Sequence, residues 1–142
     1  MANTTHLTDH DASATLAERI RQAGSEGTSL RIVGGDTRFF YGREVTGEVL
    51  STREHRGIRF YDPVELVVSV RAGTPLSELE ATLAKHGQML PFEPPRYGEV
   101  STVGGMVATG LSGPRRPWAG SVRDFVLGAR VINHEGIEQR FG

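Results

Sequence analysis

The chain has 142 residues, of which 37% are hydrophobic and 23% are charged, so its composition excludes a disordered or fibrous protein. Its 16 basic and 17 acidic side chains give a formal net charge of -1, which indicates no nucleic-acid partner. The absence of cysteine excludes disulfides, thiolate zinc sites and cysteine-ligated iron–sulfur clusters within this sequence.

The hydropathy pattern predicts a cytoplasmic protein without a transmembrane segment. No apolar run approaches the ~20 residues that a membrane-spanning helix needs. The N-terminal stretch MANTTHLTDHD also lacks the basic and then apolar pattern of a secretion signal.

The first half of the chain predicts a loose arm over residues 1–9, one helix and four strands. The helix begins near Asp11 and ends at Gly24 or Gly27, because glycine commonly terminates a helix. Its buried face is formed by Leu16, Ile20 and Ala23. Strands are predicted over residues 30–33, 47–52, 58–62 and 65–71.

The second half begins with a helix that Thr74 and Pro75 open, with threonine as the cap and proline at the first helical position. Its buried stripe is Leu76, Leu79 and Leu83, and Gly87 ends it. A short strand is predicted over residues 88–90, then an irregular proline-rich segment, and finally a hairpin that turns at residues 133–136. Strands and helices mix without a βαβ rhythm, so the predicted class is α+β.

Two glycine-rich segments are candidate phosphate sites. Residues 34–38, GGDTR, follow a strand, and a turn of successive backbone amides makes a concave anion site. Glycine there would accept positive φ and allow close approach of a ligand. In STVGGMVATG, a helix capped by Ser101 or Thr102 would direct the amides of residues 103–106 at one point.

Both glycine-rich segments also suit a purely structural role, and the two alternatives stay open. A Gly-Gly pair after a strand is typical of a tight turn, and GGMVATG is also typical of close helix packing. Neither segment matches GxGxxG or the P-loop pattern. No metal site is predicted, because the five histidines lack HxH or HExxH spacing, and no residue is identified as catalytic. The histidines are His6, His10, His55, His86 and His134.

The order of three segments resembles a known family. They are LRIVGGDTRFFYGR, ELVVSVRAGTPLSELEATLAKHGQMLPFEPP and STVGGMVATGLSGPRRPWAGSVRDFVLGARVI. They resemble the FAD-binding domain shared by vanillyl-alcohol oxidase and p-cresol methylhydroxylase (PCMH), and within it the smaller flavin-binding subunits of bacterial glycolate oxidases. The resemblance implies a PCMH-type domain of two α+β subdomains with FAD between them, preceded by an N-terminal arm and helix over residues 1–27.

Site residues follow from the resemblance motif by motif. The loop that wraps the FAD pyrophosphate corresponds to Gly34, Gly35, Asp36, Thr37 and Arg38. The second contact region corresponds to Thr102, Val103, Gly104, Gly105, Ala108 and Thr109. Further contacts implied by the resemblance are Pro91, Ser112, Ser121, Arg123 and Asp124.

Three departures from the family pattern lead to expectations of their own. Many relatives have glycine where this chain has Asp36, so we expect its carboxylate to turn outward or to pair with Arg38. The loop has no histidine and the chain no cysteine, so we expect non-covalent FAD. The family domain continues beyond the final hairpin and a substrate domain follows, so residues 28–142 are expected to be an incomplete FAD domain, truncated at its C-terminus.

The function implied by the resemblance is oxidation of a small 2-hydroxy acid, glycolate to glyoxylate, by hydride transfer to FAD. The implied partners are a larger FAD subunit and an iron–sulfur subunit, with the complex held at the inner membrane through those partners. The alternative is a non-catalytic interaction module in which the glycine loops preserve the fold but hold little or no flavin.

Overall fold

The computed structural model describes residues 9–142, in which short strands and helices are mixed, as the α+β class requires. The strands are β1 (Asp9–His10), β2 (Leu30–Val33), β3 (Glu48–Ser51), β4 (Arg56–Asp62), β5 (Val67–Val70), β6 (Ala129–Ile132) and β7 (Glu138–Phe141). The helices are α1 (Ser13–Glu26), α2 (Leu76–Ala84), α3 (Val103–Thr109), α4 (Arg116–Ala119) and α5 (Val122–Phe125). None of the helices in this part of the chain is long and apolar enough to cross a membrane.

The strands of the described region form three small sheets. In the largest, β4 lies between β1 and β5 and pairs antiparallel with both. The strands β6 and β7 form the predicted hairpin. β2 and β3 pair in parallel with Val33 opposite Ser51, so the segments that leave their C-terminal ends emerge side by side.

The core lies between α2 and the segments that cover it. Its buried members include Leu76, Leu79 and Leu83, the stripe that helical periodicity predicts. They pack with Ile58, Phe92, Met106 and Val122. Because Met106 belongs to α3, the core fixes the position of the second glycine-rich segment.

The predicted cap of α2 is wrong. The hydroxyl of Thr74 is fully buried and bonds Gly57, accepting from its amide at 2.9 Å and lying 3.2 Å from its carbonyl oxygen. Pro75 occupies the cap position, and the amide of Leu76 donates to the carbonyl of Ser101 at 2.8 Å. Tertiary contacts thus replace the local cap.

Several further elements differ from the sequence prediction. Residues 88–90 form no strand: the Gln88 side chain instead donates to the carbonyl of Pro63 and accepts from the Tyr61 hydroxyl. β5 begins at Val67, because Leu66 adopts a positive φ of 58° in a turn. No local pattern indicated α4, α5 or β1. Asp9, which was assigned to the loose arm, belongs to β1 and pairs with Gly57. Residues 1–8 of that arm lie outside the described residues.

Candidate functional site

A cleft of about 690 Å³ lies between the end of β2, the loop over residues 34–47 and one face of α3. It brings together most of the predicted site residues. Those that line it are Gly34, Gly35, Asp36, Thr37, Arg38, Thr102, Gly105, Ala108 and Thr109. The two glycine-rich segments, separated by more than 60 residues in sequence, therefore form one site.

Sequence reasoning missed the part of the cleft beyond Arg38, where Tyr41, Arg43 and Glu44 contribute to the wall. One signal was present. A loop of this length without regular structure is uncommon in a compact domain and is usually functional.

Three of the glycines pack too closely on neighbouring segments to leave room for a side chain, as the purely structural alternative for these segments supposed. A Cβ on Gly34 would overlap the Thr102 hydroxyl, and one on Gly35 would overlap the carbonyl of Val100. A Cβ on Gly104 would lie 2.8 Å from that of Ala72. None of the three has a positive φ, so the conformational reason expected from the sequence is wrong for them. The close approach that they allow is to the protein's own residues 72 and 100–102, whereas close approach of a ligand stays a prediction.

Gly105 differs from these three glycines. A Cβ there would meet only side-chain atoms, the Thr102 hydroxyl at 3.2 Å and Arg38 Nη1 at 3.5 Å. Because Gly105 lines the cleft, its missing side chain keeps space open beside Arg38.

The amides at the start of α3 do not form the predicted anion site. Thr102 caps the helix as expected, accepting from the amide of Gly105 at 3.2 Å. However, Val103 donates to the carbonyl of Thr74 and Gly104 to that of Ala72. Met106 donates to the carbonyl of Thr102 at 2.9 Å. All four amides are therefore used inside the protein, and α3 offers no free donor to a phosphate.

The loop after β2 has the donors that α3 lacks. The amides of Gly35, Asp36, Thr37 and Arg38 donate to no other group within residues 9–142. The Nε atom of Arg38 is buried and has no partner in that part of the chain, although Nη2 of the same guanidinium donates to the carbonyl of Pro95 at 2.6 Å. Buried donors without partners are rare in folded proteins, so Arg38 Nε indicates a missing acceptor, and the four amides are free to donate to the same acceptor.

A diphosphate fits this donor set. Its oxygens accept hydrogen bonds only, and successive backbone amides together with an arginine are the usual protein groups that bind it. The residues present therefore fit FAD, and the loop over residues 34–38 has the donors that would hold its diphosphate. Gly105 leaves room for it beside Arg38.

Asp36 does not pair with Arg38, which was one of the two expectations for its carboxylate. The carboxylate accepts from Arg31, with Nη1 at 3.0 Å and 3.2 Å from its two oxygens and Nη2 at 3.3 Å from one. Asp36 also has a positive φ of 53°, the conformation that glycine adopts without cost. Arg31 lines the cleft, so the carboxylate of Asp36 neutralises a cation that could otherwise bind an anion there.

We therefore expect Asp36→Gly to strengthen FAD binding by about threefold or more, because it removes a negative charge beside the diphosphate and frees Arg31 to bind it. Asp36→Asn is the control, since asparagine tolerates the same conformation and removes only the charge. Titration of FAD against all three proteins measures the effect. Weaker binding in both variants would contradict this role of the carboxylate.

Five predicted contacts and two members of the α3 segment do not line the cleft. Ser112 is buried and its hydroxyl accepts from the amide of Val122 at 3.0 Å. Asp124 accepts from both the amide and the hydroxyl of Ser121 at 2.7 Å, a local cap of α5. The others outside the cleft are Pro91, Val103, Gly104 and Arg123. Their assignment as FAD contacts stays a prediction.

The sequence matches a known family over most of its length. A family model described as FAD binding domain matches residues 11–142. The chain is 57% identical over 136 residues to glycolate oxidase subunit GlcE of Escherichia coli, covering 96% of this chain and 39% of that protein. It is 34% identical over 126 residues to D-lactate dehydrogenase of Archaeoglobus fulgidus, covering 87% of this chain and 28% of that protein.

The fold also matches solved structures. Alkyldihydroxyacetonephosphate synthase superposes with a TM-score of 0.74 at 24% identity, over 92% of this chain and 27% of that one. This likeness confirms the predicted PCMH-type FAD-binding fold. The chain spans well under half the length of each of these proteins.

Proposed function

We propose that this chain, which belongs to the FAD binding domain family, is the FAD-binding part of a glycolate oxidase-type enzyme. The cofactor is FAD, the ligand that defines the family. The observation that carries the proposal is the set of unpartnered donors in the cleft, four amides and the buried Arg38 Nε, within residues 9–142. Likeness to a glycolate oxidase subunit and to a D-lactate dehydrogenase supports a 2-hydroxy acid as substrate.

In the proposed reaction, glycolate loses a hydride from the carbon that bears its hydroxyl group and a proton from that hydroxyl, which gives glyoxylate. Bound FAD supplies the chemistry of hydride acceptance. The contribution of this chain is to hold the diphosphate with amides of residues 35–38 and with Arg38. No residue of the chain is assigned to accept the proton.

The proposed partners are a larger FAD subunit and an iron–sulfur subunit, which pass on the electrons. The likeness to a protein that is itself a subunit of an oxidase supports such an assembly. We further propose that the complex works on the cytoplasmic side of the inner membrane, bound there through its partners. A module that held no flavin would leave the buried Nε of Arg38 without an acceptor, so the non-catalytic alternative is less well supported.

The proposal is tested by purifying the full-length protein with its co-expressed partners and measuring bound flavin and substrate-dependent dye reduction. We expect flavin in the preparation and reduction with glycolate, while acetate, which lacks the hydroxyl group, serves as the negative control. D-Lactate tests how narrow the substrate range is. Absence of flavin would reject the cofactor assignment, and a flavoprotein inert toward every 2-hydroxy acid would reject the substrate class.

We also expect the flavin to be non-covalent, because no histidine or cysteine lines the described cleft. Acid precipitation of the holoprotein should release all the yellow colour into the supernatant. Denaturing electrophoresis should then show no fluorescent protein band under acid. Colour retained on the washed pellet would contradict this prediction and would direct attention to Tyr41 as the attachment point.

A further inference from the structure

The parallel pairing of β2 with β3 places Arg53 beside the loop over residues 34–38, the proposed diphosphate loop. Val33 pairs with Ser51, so Gly35 and Arg53 each lie two residues beyond this pair, after two adjacent strands. The turn that carries Arg53 is anchored: the amide of Thr52 donates to the carbonyl of Val33 at 2.8 Å, and the amide of Gly73 donates to that of His55 at 2.8 Å. Arg53 thus projects from a fixed backbone.

The guanidinium of Arg53 bonds two successive carbonyls of the loop. Its Nε donates to the carbonyl of Gly34 at 2.9 Å and its Nη2 to that of Gly35 at 3.1 Å. A planar fork of donors matches two adjacent acceptors in a way that the single ammonium of lysine does not. Arg53 itself does not line the cleft, so it grips the loop from outside.

Because the peptide group is planar, the bonds from Arg53 to the two carbonyls also fix the direction of the amides that follow them. In a planar trans peptide the carbonyl and the following N–H point in opposite directions. Holding the carbonyls of Gly34 and Gly35 toward Arg53 therefore turns the amides of Gly35 and Asp36 away from it, to the side of the cleft. These are two of the donors that have no partner within residues 9–142.

The loop needs such an outside constraint because of its glycines. Gly34 and Gly35 pack so closely on residues 100–102 that neither position has room for a Cβ atom. A peptide between two glycines reorients more easily than others, since no side chain restricts φ and ψ. We propose that Arg53 is a positioning residue that fixes the Gly34 and Gly35 peptides with their amides directed at the cofactor diphosphate. The inference rests on the proposed binding of FAD.

The experiment compares FAD and ADP affinity of the full-length protein with that of Arg53→Met, Arg53→Lys and the control Arg140→Met. Methionine keeps the length of the side chain and removes its donors. Arg140 lies exposed on β7, so its replacement changes the net charge equally without touching the loop. Dissociation constants come from calorimetric titration, and unfolding temperatures are measured without ligand.

We expect Arg53→Met to weaken both FAD and ADP about tenfold, the loss that corresponds to one hydrogen bond to a charged group. The affinities of Arg53→Lys should lie between those of Arg53→Met and the wild type. Arg140→Met should bind both ligands as tightly as the wild type. The unfolding temperature of ligand-free Arg53→Met should change little. If Arg53 only stabilised the fold, that temperature would fall. ADP is the diagnostic ligand, because it carries the diphosphate without the flavin.

Two results would overturn the inference while leaving the proposed function intact. One is wild-type affinity of Arg53→Met for FAD and ADP. The other is a weakening that Arg140→Met shares or that a large drop in unfolding temperature accompanies. A wild-type protein that bound neither ligand would instead reject the proposed function, and this inference with it.

Discussion

Gly35→Val is expected to abolish FAD retention and to lower the free energy of unfolding by about 3 kcal/mol or more, the upper range for overpacking. The Cβ would overlap the main-chain carbonyl of Val100, and a backbone atom cannot move aside as a flexible side chain can. The loop would have to separate from the segment before α3. That movement would also displace the unpartnered amides of residues 35–38. Urea unfolding and the flavin content of the purified protein measure the two effects.

Gly105→Ala is the matched control, because it adds a Cβ to the second glycine-rich segment. There the new atom meets only side chains, at 3.2 Å and 3.5 Å, and alanine favours the helix. We expect FAD affinity to fall while the unfolding temperature stays within about 4 °C of the wild type. If Gly35→Val kept normal flavin content, or if Gly105→Ala were as unstable as Gly35→Val, this distinction between Gly35, which packs against backbone, and Gly105, which only leaves space in the cleft, would be wrong.

Local patterns predicted those elements whose cause is local. The leucines of α2 repeat at helical spacing and are buried, and the hairpin turns where Asn133 accepts from the amides of Glu135 and Ile137. The cap of α2 failed because the Thr74 hydroxyl prefers Gly57, which pairing of β4 with β5 brings near. No pattern in sequence reveals that partner.

The same distinction applies to the cleft. Its two glycine-rich segments could be named from motifs, and the structure places most of their residues on one site. Which amides are free could not be predicted, because Ala72 and Thr74 supply the acceptors that occupy the start of α3. Arg31 and Arg53 were also missed, since their roles depend on the parallel register of β2 and β3. Sequence thus predicted the location of the site, and tertiary contacts decide which atoms serve it.

Replacing both Asp9 and Asp11 with asparagine is expected to lower the free energy of unfolding by about 2 kcal/mol at pH 7. Arg71 is only 7% exposed, and its guanidinium donates to Asp9, with Nη2 at 2.8 Å from Oδ2, and lies 2.9 Å from Asp11. These contacts tie β1 and the start of α1 to the end of β5. Without the carboxylates, the buried cation has no opposite charge. The expected loss is smaller than the roughly 3 to 5 kcal/mol of fully buried pairs because both carboxylates are partly exposed.

Adding Arg71→Met to that double variant should recover part of the loss, because it removes the uncompensated cation. Arg71→Met alone should cost less than the double replacement, since partly exposed carboxylates can be solvated by water. Chemical denaturation of the four proteins forms a double-mutant cycle. A triple variant less stable than the double variant would contradict the importance of the buried charge.

The dependence on pH gives this prediction a second readout. Hydrogen bonding to Arg71 lowers the pKa of Asp9 below its ordinary value of 3.8, and bonds from Ser13, with the nearby Arg71, lower the pKa of Asp11 further. Because the folded carboxylates take up protons at lower pH than the unfolded ones, their stabilisation is complete above about pH 5 and is lost as pH falls below about 4. The asparagine variant lacks these groups, so the unfolding free energies of the two proteins should converge between about pH 5 and about pH 2. A constant difference across that range would show that the carboxylates stabilise the fold by packing and not by charge.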